Sequence, residues 1–185
     1  MRVLLAYYSE TGNTAKIAQA IYAEVSSQGH EAHLMEIGEI VPETLNTYDL
    51  VFLGSACHDA DLALQVKQIL EQIPTSSAFK LAGFVTHASY TSEGGEYQRE
   101  LYQTWASKCE LSFSYTSQEK QIKFLGFFNC QGAPSPPIEA FIHHTIVTDE
   151  DEWEVYIEEV RKHPNDEDLQ KAREFALEIL AKCEP

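Results

Sequence analysis

Between an apolar run, Val3–Tyr8, and the helix-like stretch AKIAQAIYAEV lies the hexapeptide SETGNT, Ser9 to Thr14. Ser9, Thr11, Asn13 and Thr14 carry neutral hydrogen-bond donors, Gly12 frees the backbone, and Glu10 is the sole charge. A strand that delivers such a loop into a helix N-terminus makes an anion site without a cation. The first helical N–H groups have no partners there, and the helix dipole contributes about half a positive charge. The hexapeptide lacks both the GK[ST] ending of a triphosphate loop and the spaced glycines of a dinucleotide fingerprint, so a monophosphate is the fitting anion. A plain turn with Asn13 or Thr14 as helix cap accounts for the same residues.

Two more loops carry candidate chemistry: SACHDAD, Ser55–Asp61, and ASYTSEGGE, Ala88–Glu96. The first contains a thiol, Cys57. A reactive thiol needs a cation or helix N-terminus to lower its pKa, and only His58 adjoins it. Cys57, Cys109, Cys130 and Cys183 show no CxxC spacing. Neither a metal knuckle nor a disulfide framework is implied, and the thiols read as reduced or structural.

The elements that must position these loops are legible in the hydropathy pattern. Runs rich in Val, Leu, Ile, Phe and Tyr occupy Arg2–Tyr8, Leu50–Gly54, Leu81–His87 and Ile122–Asn129, and Glu31–Glu36 alternates as an edge strand does. Helical patterns lie between them at Thr14–Gln28, Ala63–Ile73 and Tyr97–Cys109. In the first, Ile17, Ala18, Ile21 and Val25 form one stripe. Near-continuous apolar strands alternating with helices predict a parallel sheet covered on both faces, a doubly wound α/β sandwich. In such a sheet ligands bind beyond the carboxyl ends of the strands, which is where the three loops fall.

Composition narrows the function. A chain of 185 residues is long enough for one domain that buries roughly 70% of its unfolded surface. No apolar run exceeds six residues, against the ~18 needed to cross a bilayer, and the N-terminal run has no cleavage site after it. The protein therefore reads as cytoplasmic, with no membrane partner. A formal charge of −16 argues against nucleic acid and favours basic docking partners. That charge is concentrated: Asp149–Pro185 holds 13 acids and 5 bases, which makes it about four times as acidic per residue as the rest.

VLLAYYSETGNTAKIAQAI resembles the N-terminal phosphate-loop motif of the flavodoxin family: apolar strand, aromatic, Ser-x-Thr-Gly-Asn-Thr, then an apolar helix. The resemblance extends through about residue 130. It implies a five-stranded parallel sheet in the order 2-1-3-4-5 and FMN as ligand, its phosphate held by Ser9, Glu10, Thr11, Gly12, Asn13 and Thr14. It further implies that Ser55, Ala56, Cys57, His58 and Asp59 lie along one side of the isoalloxazine, and His87, Ala88, Ser89, Tyr90, Gly94 and Gly95 along the other. Tyr90 matches the family's stacking aromatic. His58 falls at the second stacking position, where it either stacks or stands as an exposed loop histidine. Asp59 replaces the glycine whose peptide turns over in many flavodoxins. His87 stands where the family commonly has an acidic residue, and it reads either as a strand-end cap or as a redox-tuning group.

Past residue 130 the chain departs from a short flavodoxin. CQGAPSPP breaks the pattern, and helical stretches follow at Ile138–Ile146, in TDEDEWEVYIEEVRKH and in EDLQKAREFALEILAKC. The expected division is a flavodoxin-like domain over 1–146 and an acidic helical extension over 147–185 packed on it. One of the last two helices should close the sandwich. The acidic face of this tail is either plain solvated surface or a docking surface. The composite reading is a low-potential FMN electron carrier serving redox partners with basic docking surfaces. The alternatives are an FMN-dependent reductase or protoporphyrinogen-oxidase-like enzyme of the same fold, and a non-redox interaction protein.

Overall fold

The computed structural model describes residues 1–183. Its elements run β1 Arg2–Tyr7, α1 Asn13–Ser27, β2 Glu31–Glu36, β3 Leu50–His58, β4 Asp61–Leu62, α2 Leu64–Gln72 and β5 Lys80–His87. They continue α3 Glu96–Trp105, α4 Lys108–Lys120, β6 Lys123–Gln131, α5 Pro136–Thr145, α6 Glu150–Val160 and α7 Asp166–Ala181. Five long parallel strands stand in the order β2-β1-β3-β5-β6, the 2-1-3-4-5 order of the sequence reading, and the two-residue β4 pairs antiparallel with β3. Because every long strand points the same way, Tyr7, His58, His87 and Gln131 end at one edge.

Each face of the sheet is sealed by helices. Ile17, Ile21 and Val25 of α1 and Phe175, Ala176 and Ile179 of α7 cover Val3, Leu5, Phe52 and Phe84. Val66 and Leu70 of α2 and Phe113 of α4 cover Leu4, Val51, Leu53 and Leu81 on the other side. Phe52, Phe84 and Phe113 are fully buried, each stabilising the fold by roughly 1.5–3 kcal/mol. The β5–β6 register slips by one residue between Leu81 and Ala82. The Leu125 carbonyl at this bulge accepts a hydrogen bond from Lys182 Nζ at 3.1 Å, which ties α7 to the irregularity.

Two elements differ from expectation, and the β2–β3 connection, for which the sequence showed no helical pattern, is now defined. The helix expected over Tyr97–Cys109 breaks at Ala106–Ser107, where both amides turn back to the Tyr102 carbonyl, and a second helix, α4, runs on to Lys120. The sequence hid α4 because only Cys109, Phe113 and Ser117 face the core, a narrow i, i+4, i+8 stripe in a polar background. No α-helix joins β2 to β3; two 3-10 turns, Ile37–Glu39 and Pro42–Thr47, cross over instead. Strand β3 also runs four residues past Gly54, converting the expected loop into a hairpin with β4.

The seam in the C-terminal region lies elsewhere than residue 146. α7 shares the core of α1 and is the helix that closes the sandwich. The module that stands apart is α5–α6, an insertion between β6 and α7 with its own small cluster of Ile142, Val147, Tyr156 and Val160. Glu184 and Pro185, the end of the expected extension, lie outside the described residues.

Candidate functional site

Gly12 caps α1 with φ +89°, a left-handed conformation that a residue with a Cβ adopts only under strain, and its carbonyl accepts the Lys16 amide at 3.1 Å. No side chain caps α1, so the first-turn amides at Asn13, Thr14 and Ala15 have neither helical nor side-chain partners. The side chains of Asn13 and Thr14, offered by the sequence as anion donors, are committed to the fold. Asn13 Nδ2 donates to Ala133 O at 2.8 Å and to Thr11 Oγ1 at 2.9 Å. Thr14 Oγ1 shares a buried 2.8 Å hydrogen bond with Thr86 Oγ1. A Cβ at Gly132 would sit 2.9 Å from Asn13 Nδ2, so only glycine lets the segment after β6 close on this loop.

Two hydroxyls are left for an anion. Thr11 Oγ1 accepts from Asn13 and keeps its own proton to donate. Ser9 Oγ is buried without a hydrogen-bond partner among the described residues. A buried, unpaired hydroxyl in a loop that runs into unpartnered helix-start amides, with no cation among Ser9–Thr14, is a donor set a phosphate monoester fits.

The second loop is a tight hairpin. Cys57 pairs with Leu62 and His58 with Asp61 across a two-residue turn in which Asp59 and Ala60 both take positive φ, +49° and +65°. Asp59, at the family's glycine position, thus adopts a left-handed backbone conformation. His58 stands edge-on to Tyr8, with ring centroids 5.7 Å apart, and its Nε2 lies 3.4 Å from a Glu10 carboxylate oxygen.

In the third loop Tyr90 is fixed rather than free. Its ring packs edge-on against Tyr156, and its hydroxyl donates to Glu152 Oε1 at 3.0 Å instead of reaching water. Burial, reinforced by the Glu152 carboxylate, raises its pKa well above the usual tyrosine value. Tyr156 in turn donates to the Ala88 carbonyl, so α6 clamps this loop at two points. His87 is buried at 4% exposure with Nε2 3.0 Å from Asn129 Oδ1, and burial lowers its pKa.

These loops open into one cleft of about 550 Å³. Glu10, Cys57, His58, Asp59, His87, Ala88, Ser89 and Tyr90 line it, whereas Ser9, Thr11, Gly12, Asn13 and Thr14 are not part of its wall. Ser55 and Ala56 do not line it either: Ser55 is buried, its hydroxyl bonded to Ala56 O and Ala63 N. Gly94 and Gly95 instead form the N-terminus of α3, held by Gln98 and Arg99. A second, more open depression of about 460 Å³ between α3 and α4 contains none of the three loops' cleft residues.

The roof of the cleft escaped the sequence reading. Trp105 from α3 and Ile138, Phe141 and Ile142 from α5 close it, with Trp105 and Phe141 in edge contact at 5.8 Å. The spacing Leu101–Trp105 and Ile138–Phe141–Ile142 is visible in the chain, but such stripes do not say what they cover. Packing also brings Cys109 against Cys57, distant in sequence. The Cys57 side chain, then burial, hold the Cys109 thiol far above its ordinary pKa, so this contact protects a thiol rather than activating it.

An open parallel sheet of this strand order, with a glycine-containing loop running from the first strand into a helix start and a cleft between the next two loops, defines the flavodoxin class. The chain belongs to that family: it matches the family model for the flavodoxin domain over residues 4–177. It is a flavodoxin-type redox protein. Among curated proteins it is 30% identical over 190 residues to the flavodoxin-like domain-containing protein BilS of Clostridioides difficile, covering 99% of this chain and 98% of that one. It is 26% identical over 181 residues to the uncharacterized protein MJ0298 of Methanocaldococcus jannaschii, covering 97% and 99% of the two chains. Among solved structures, oxidised flavodoxin 1 of Bacillus cereus superposes with a TM-score of 0.65 at 16% identity, covering 98% of each chain. A flavodoxin from the domain Archaea gives 0.63 at 14% identity, covering 99% of each.

Proposed function

We propose that the protein binds one FMN in the cleft and works as a low-potential electron carrier between partner proteins. The observation that carries the reading is the buried, unpaired Ser9 hydroxyl in the loop that leads into the uncapped N-terminus of α1. Such a donor set costs stability when empty and is satisfied by a phosphate. The flavodoxin family, whose members bind FMN as a rule, supplies the rest.

In this reading the Ser9 and Thr11 hydroxyls and the α1 amides hold the phosphate. The hairpin bearing His58 and Asp59 and the loop bearing Tyr90 flank the ring, and Trp105, Phe141 and Ile142 exclude water from the apolar side. Bound FMN supplies reversible acceptance and release of electrons. The residues set its driving force: a phosphate held without a cation keeps its charge near the ring, and the −16 of the chain adds to it. A unit charge ~10 Å from the ring disfavours a further negative charge by on the order of 1–2 kcal/mol at an effective dielectric of ~20, less where solvent screens it. The same acidic surface suits partners with basic docking faces.

Reconstitution tests this. The apoprotein should bind FMN stoichiometrically and riboflavin far more weakly, because charge-assisted hydrogen bonds contribute about 1.5–3 kcal/mol each. Equal affinity for the two would refute the phosphate site. Rapid oxidation of NADH or NADPH by the holoprotein alone would refute the carrier.

A further inference from the structure

His87 is the one buried titratable side chain in the cleft wall whose hydrogen bonding is incomplete among the described residues. It ends β5 and is anchored through its own carbonyl, which accepts the Gly132 amide at 2.9 Å. Its Nε2 meets Asn129 Oδ1 at 3.0 Å. An amide oxygen only accepts, so this contact puts the ring proton on Nε2. Nδ1 is then a bare lone pair. It is buried and has no hydrogen bond of normal geometry, and the Ser89 backbone beside the ring acts as an acceptor does, favouring a proton.

The neutral ring therefore leaves Nδ1 without a partner, whereas a proton there could share the Ser89 carbonyl, which accepts Gln131 Nε2 at 3.0 Å and keeps a second lone pair. Desolvation is what opposes that state. The groups that face the ring from the surrounding elements are few. Tyr102 of α3 packs edge-on at 5.6 Å, Asn129 of β6 is neutral, and Asp168 of α7 contributes a negative charge that favours the proton. No cation is among the groups acting on it. A further negative charge would act in the same direction as Asp168, and the cleft is where that charge would arise.

We infer that His87 takes up a proton at Nδ1 when the ring system bound in the cleft is reduced to an anion, and releases it on reoxidation. The inference rests on FMN being the ligand. Two electrons enter the flavin from an external low-potential donor, one proton from solvent goes to the flavin, and a second goes to His87. Below the pKa of His87 in the reduced protein the couple thus carries two protons per two electrons. Above it the couple carries one.

The test uses the holoprotein with labelled histidine. In 15N NMR spectra assigned through bonds, Nδ1 of His87 should read as unprotonated in the oxidised protein at pH 7 and as protonated after anaerobic reduction, and the other histidines should not change tautomer or charge. The two-electron midpoint potential, followed from pH 5.5 to 9, should change slope from two protons to one, and His87→Gln should keep the one-proton slope throughout. An Nδ1 resonance indifferent to reduction between pH 6 and 8 overturns the inference even if the potential bends, because the flavin would then be the titrating group. That measurement needs only the wild-type chain. Failure to bind FMN at all overturns the function proposed above and this inference with it. FMN binding with an unresponsive His87 overturns this inference alone.

Discussion

Replacing Ser9 by alanine should move two quantities in opposite directions. In the free protein Ser9 Oγ is buried and unpaired, a state that costs about 1–3 kcal/mol. Ser9→Ala removes the orphan without opening a sizeable cavity, so the apoprotein should gain up to that amount. At roughly 2–4 °C per kcal/mol for a chain of this size, its thermal midpoint should rise by a few degrees. With FMN the sign reverses. The lost contact is a hydrogen bond to a dianionic phosphate, about 1.5–3 kcal/mol, which corresponds to roughly a tenfold to 150-fold rise in Kd. Riboflavin, which has no phosphate, should bind the variant and the parent equally. Differential scanning calorimetry of the apoprotein and quenching of flavin fluorescence on binding measure the two halves separately. A variant destabilised when empty, or one that loses FMN and riboflavin affinity in equal proportion, would show that Ser9 is a structural residue and not a phosphate ligand.

Two further outcomes follow from the same geometry. Thr14→Val should leave Thr86 with an unpaired buried hydroxyl and lower stability by about 1–3 kcal/mol, while the double variant Thr14→Val/Thr86→Val should recover most of that loss in urea unfolding. Because burial depresses the His87 pKa, the unfolded chain binds the extra proton first: stability is intact above the unfolded value of 6.5 and falls as pH drops below it, levelling off only below the folded pKa. The apoprotein should thus lose stability between pH 6.5 and 5 at up to about 1.4 kcal/mol per pH unit more than His87→Gln, and equal slopes in the two would show that His87 titrates normally.

The geometry of the hexapeptide SETGNT was legible in the chain because it is local: a strand end, a glycine at positive φ and a helix start within six residues. The parallel sheet was equally legible, since strands buried on both faces must be apolar throughout, as Leu50–Leu53 is. Cys57, His58, Asp59 and His87–Tyr90 of the cleft wall come from the two loops the sequence singled out. What it left undecided was which donors in the hexapeptide are free. Ser9, Thr11, Asn13 and Thr14 are chemically alike on paper, and only the positions of Thr86 and Ala133, 72 and 120 residues away, commit Thr14 and Asn13 to the fold and leave Ser9 unpaired. The helical insertion followed the same logic. The stripe of Ile138, Phe141 and Ile142 records that α5 covers something, and only the tertiary packing that sets it across the cleft from Trp105 decides that it covers the candidate flavin site. Periodicity is a property of neighbours in the chain, whereas a roof, a committed hydroxyl and an orphaned imidazole nitrogen are relations between segments far apart in sequence. Such relations exist only once the sheet has brought Tyr7, His58, His87 and Gln131 to one edge.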